Sequence, residues 1–90
     1  MPTIRIPAPL RRLTNNQEEI PVEGLSLGAI LNELNHIYPG LSDRILDEQG
    51  DIRRFVNIFV NDEDVRFLQL KETPIEESDV ISIVPALAGG

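Results

Sequence analysis

Residues 54–64, RFVNIFVNDED, carry the clearest period-two alternation in the chain. Val56, Ile58 and Val60 share one side of an extended backbone, and Phe55, Asn57 and Phe59 share the other. β-Branched residues at every second position suit a strand with one buried face. Asn57 marks the second face as outward, which leaves Phe55 and Phe59 partly exposed. Asn61-Asp62 then supplies turn chemistry, and VRF (65–67) reads as a short strand beyond the turn.

The same alternation returns in VISIV (80–84), where Ser82 sets Val80 and Val84 outward and Ile81 and Ile83 inward. PIEESD (74–79) is a loop. SLGAILNELNHIYPG (26–40) is the one strong helix: Ser26 suits the N-cap, Leu27, Ile30, Leu31, Leu34 and Ile37 recur at helical spacing, and Pro39-Gly40 stops it. LSDRILDEQGD (41–51) holds one further helical turn capped by Ser42, then a loop around Gly50. TIRIPA (3–8) and EEIPVE (18–23) alternate through Ile4, Ile6, Ile20 and Val22. Pro7 and Pro21 argue for edge positions or strand ends. PLRRLTNNQ (9–17) between them reads as a loop turning at Asn15-Asn16.

The order is therefore strand, strand, helix, strand, short strand, strand. One main helix covering one face of a mixed sheet of four to five strands is a two-layer α+β arrangement, compatible with the ubiquitin-like β-grasp. Ninety residues make one domain, expected over 1–84, with a flexible tail over 85–90 ending in Gly-Gly.

Composition narrows the function. Eight Lys and Arg against fifteen Asp and Glu give a net charge of −7, which opposes nucleic-acid and anionic-membrane binding and favours a basic partner surface. The absence of cysteine removes disulfides, thiolate nucleophiles and thiolate zinc sites. No apolar run suits a signal peptide or a membrane span, so cytoplasmic residence is expected. His36 is the single histidine, and one imidazole without further converging ligands makes no metal site. Asp62, Glu63 and Asp64 lack the glycine at the sixth position that a calcium loop needs, since Phe67 stands there. There is no Ser/His/Asp set and no glycine-rich phosphate loop. An enzyme is not expected, and neither a metal nor a bound cofactor.

What remains is PALAGG (85–90). Pro85 interrupts strand pairing and holds Val84 extended. From there the tail reaches roughly 15–20 Å when extended. Ala86, Ala88, Gly89 and Gly90 are slim enough to thread a narrow tunnel, and Leu87 alone has the bulk to anchor in a pocket. Glycine leaves the terminal carbonyl open to approach from either side. The carboxylate of Gly90 is thus the expected functional group.

The span from Arg54 to Gly90, RFVNIFVNDEDVRF…ESDVISIVPALAGG, resembles the prokaryotic ubiquitin-like sulfur carriers, and the likeness continues weakly through the helix and IRIPAPLR. Within that family VNDEDVRF and PALAGG look closest to the carrier of cysteine biosynthesis. The resemblance implies that an E1-like activating enzyme uses Mg-ATP to adenylate Gly90, and that sulfur then displaces AMP to leave a thiocarboxylate. It implies Pro85 through Gly89 as the tail required for activation, and a cysteine synthase-like acceptor as the second partner. It also places partner contacts on the outward sheet face near the tail, where parity independently puts Phe59 and Val84, with Phe55 beside them. Family members often carry larger apolar residues where Asp64 and Val84 stand here. Molybdopterin, thiamine and tRNA thiolation stay open as destinations, as do a protein modifier joined through Gly90 and a plain interaction domain.

Overall fold

The computed structural model describes residues 1–85. Five strands, β1 (Thr3–Arg5), β2 (Glu19–Pro21), β3 (Val56–Val60), β4 (Glu63–Asp64) and β5 (Val80–Pro85), form one sheet in the order β2-β1-β5-β3-β4. β1 and β5 run parallel at its centre, and the other pairs are antiparallel. Helix α1 (Leu27–Ile37) and the short α2 (Ser42–Ile45) lie in the connection from β2 to β3. This is the ubiquitin-like β-grasp.

The register makes the core continuous. Ile20, Ile4, Ile81 and Val60 stand side by side across four strands, with Ile83 and Ile58 paired in the next row, and all six are buried. Leu27, Ile30, Leu31 and Leu34 of α1 are buried in the same cluster. Each such side chain contributes about 1.5–3 kcal/mol by leaving water. Ser26 caps α1 as expected, its hydroxyl accepting the N–H of Ala29 at 3.2 Å. The helix stops at Ile37, and Gly40 takes a φ of +96° two residues past the Tyr38 cap. Ile37 departs from the expected stripe: on the last turn it is 45% exposed.

Three local expectations are corrected. Residues Ala8–Thr14 form a 3₁₀ helix rather than a loop, with a proline in its first turn and Leu10 and Thr14 buried. Asn15 and Asn16 do make the turn, at φ 53° and 63°. VRF (65–67) is also 3₁₀, and the fourth strand is Glu63–Asp64 instead. The Asp64 carboxylate accepts the Arg66 N–H at 2.9 Å, and this cap bends the chain off the ladder. Ser42 is the first residue of α2, whose N-cap is the buried Leu41. The first strand is interior, lying between β2 and β5. It satisfies Pro7 by ending at Arg5, whereas Pro21 does sit on an edge strand.

Candidate functional site

Pro85 is the last residue of β5 and stands opposite Val56. The sequence reading ended the strand at Val84 because proline cannot donate a ladder hydrogen bond. The register removes that objection. The Asn61 N–H donates to the Val80 carbonyl at 2.9 Å. Bonding pairs recur every second residue in an antiparallel ladder, at Phe59–Ser82 and Asn57–Val84. Val56–Pro85 falls between bonding positions, so β3 loses nothing to the missing N–H. The remaining tail residues singled out by sequence, Ala86, Leu87, Ala88, Gly89 and Gly90, lie outside the described residues.

Two apolar side chains share the outward face near the end of β5, and a third is exposed in the turn before β3. Val84 is 45% exposed and faces outward beside Asn57. Phe59 is half-buried, paired with Ser82 on one side and Asp64 on the other. Phe59 and Val84 are therefore diagonal neighbours on the outward sheet face, within reach of one contacting surface. Phe55 is 64% exposed, but it precedes β3 and lies in a turn, so strand parity does not set its direction.

That turn is held from below. The Val56 N–H donates to the Arg53 carbonyl at 3.0 Å. One guanidinium nitrogen of Arg66, Nη2, donates to the carbonyls of both Arg54 and Val56 at 3.3 Å. Arg53 Nε reaches the Asp43 carbonyl at 3.1 Å. Arg53, Arg54, Val56, Asp64, Arg66 and Leu70 are among the residues lining a cavity of about 250 Å³ at this end of β3.

Sequence reasoning missed two features here. Phe67 is 87% exposed, because the 3₁₀ turn separates it from the buried Val65, with which it would share a face in a strand. The other is the arginine group, hidden by a net charge that averages over the chain. Among the described residues no three His, Asp or Glu are placed to hold a metal, and no helix is long and apolar enough to cross a membrane. His36 is exposed in the last turn of α1.

Fold and site together define a small ubiquitin-like β-grasp protein with exposed apolar side chains on the outward sheet face and an arginine-lined cavity at the end of β3 that pairs with Pro85. The chain belongs to the ThiS family, whose model matches residues 4–90. It is 44% identical over 90 residues to Sulfur carrier protein CysO of Mycobacterium tuberculosis (strain ATCC 25618 / H37Rv), covering 98% of this chain and 97% of that one. It matches a chain in the crystal structure of the Amycolatopsis orientalis BexX/CysO complex at a TM-score of 0.94, with 33% identity and full coverage of both. It also matches the solution structure of the small archaeal modifier protein 1 from Methanosarcina acetivorans at a TM-score of 0.84. That likeness has 29% identity and covers 99% of this chain and 95% of the other.

Proposed function

We propose that this protein is a sulfur carrier whose Gly90 carboxylate is the cargo site. An E1-like enzyme holding Mg-ATP lets a carboxylate oxygen attack the α-phosphorus, expelling pyrophosphate and leaving an acyl adenylate. A sulfide equivalent attacks the carbonyl carbon, AMP leaves, and a thiocarboxylate remains. Its sulfur is a nucleophile, and the slender tail carries it into a cysteine synthase-like acceptor in the cytoplasm. The chain supplies no catalytic group. Its part is to be recognised and to present the terminus.

The observation that carries this reading is the 44% identity, over nearly the full length, to a sulfur carrier protein, together with a sequence that reads PALAGG from Pro85, the last described residue of β5. The sheet supports it by fixing the start of the tail on a rigid central strand beside Phe55, Phe59 and Val84. The test is transfer. Sulfur-loaded protein given a cysteine synthase of the same organism and its activated amino-acid substrate should displace the substrate's β-leaving group and form a carrier–cysteine adduct through the Gly90 carbonyl. Hydrolysis of that adduct by water then releases cysteine and returns the free carboxylate. Transfer only to a molybdopterin, thiamine or tRNA acceptor would reassign the pathway.

The likeness to a small archaeal modifier protein favours a second reading, isopeptide conjugation through Gly90. Covalent adducts on other proteins in the native cell would support it, and their absence beside abundant thiocarboxylate would refuse it.

A further inference from the structure

We infer that the tail-root surface is built for an acidic partner, the reverse of what the net charge of −7 suggests. This inference rests on the carrier reading and names the chemistry of the surface that docks there. Three of the eight basic residues, Arg53, Arg54 and Arg66, are exposed and line the cavity at the β3 end from which the tail departs. Register explains the grouping. Val56 pairs with Pro85, so the Arg54-Phe55 turn before it lies at the end of β3 beside the last residue of β5. Arg66 is drawn in by its bonds to the Arg54 and Val56 carbonyls.

Those bonds use neutral acceptors and leave the positive charges uncancelled. Asp64 lines the same cavity, but its described contact is with the backbone N–H of Arg66. The ion pairs among the described residues involve Arg5, Arg11 and the terminal amine, and none involves these three arginines. Acidic side chains gather at the opposite end of β5, where Asp62, Glu63, Glu76 and Glu77 flank its start and are all exposed. The guanidinium groups line the core-facing side of this end of β3, with Val56, Ile58 and Val65, while Phe59 and Val84 lie on the outward face. A partner surface that carries carboxylates fits the arginine side. Charge on such a surface acts chiefly on encounter, so it steers the tail toward the partner's active site.

The test is ATP–pyrophosphate exchange by the activating enzyme of the same organism, measured against carrier concentration. Arg54→Glu should raise the KM for the carrier about tenfold at low salt, with kcat within about twofold and the defect shrinking as salt rises. Glu77→Lys, a charge reversal at the far end, should leave KM within about twofold. Arg54→Gln should fall between wild type and Arg54→Glu. A lower KM for Arg54→Glu with a raised KM for Glu77→Lys would show a basic partner and overturn the inference. An unchanged KM in both reversals would overturn it equally. Absence of exchange with saturating wild-type protein would instead sink the carrier reading, and this surface with it.

Discussion

Asn61 and Asp79, eighteen residues apart, are joined by a hydrogen bond of 2.7 Å from Asn61 Nδ2 to Asp79 Oδ1. The same Asn61 side chain accepts the Val80 N–H at 3.0 Å, and Asp79 Oδ2 accepts the Glu76 N–H at 2.8 Å. Asp79 is 8% exposed. The pair ties the turn after β3 to the turn before β5, at the end of the sheet opposite the tail. Asp79→Ala is expected to cost about 2 kcal/mol of stability, because two bonds to a carboxylate are lost. Urea unfolding checks this, and the variant should still be activated normally below its melting temperature.

Gly24 faces the first turns of α1. A Cβ there would come within 2.6 Å of Ile30 Cγ1 and 2.9 Å of the Ile30 backbone nitrogen. The backbone atom cannot swing aside, so Gly24→Ala should destabilise the domain by about 1–3 kcal/mol. Thermal unfolding of the variant beside Gly40→Ala provides the comparison. Gly40 has open space around it but a φ of +96°, so its loss comes from backbone strain alone and should be smaller, about 1 kcal/mol.

Val84 and Phe59 face the partner in this account, not the core. Val84→Asp should lower kcat/KM for activation by about tenfold or more, since a partly desolvated apolar contact would be replaced by a charge. The melting temperature should move by no more than about 2–4 °C, as expected for a surface change. A large fall in stability with unaltered activation of the folded fraction would place Val84 in the fold rather than the interface.

Much of this molecule is legible in its sequence where the cause is local. Val56, Ile58 and Val60 announce β3 because one face of that strand is buried, and Ser26 announces α1 because its cap spans three residues. Residues 65–67 misread because a bond from the Arg66 N–H to Asp64 competes with the ladder, and alternation cannot reveal which wins. Ala8–Thr14 misread because its buried pair, Leu10 and Thr14, is too short a pattern to distinguish a 3₁₀ helix from a loop. Pro85 misread for a different reason: the cost of a missing N–H depends on which neighbour it faces, and only the register with β3 decides that. The arginine cluster is likewise a product of packing, since Arg66 meets Arg54 across twelve residues.

The most direct test of the central claim is the intact mass of the protein after incubation with its activating enzyme, ATP and a sulfide source. The account predicts a gain equal to one sulfur replacing one oxygen, confined to the C-terminal peptide. A variant lacking Gly90 should show no gain and should unfold at nearly the wild-type temperature. An unchanged mass in the wild type, or the same gain in the variant, would contradict the claim that Gly90 carries the sulfur.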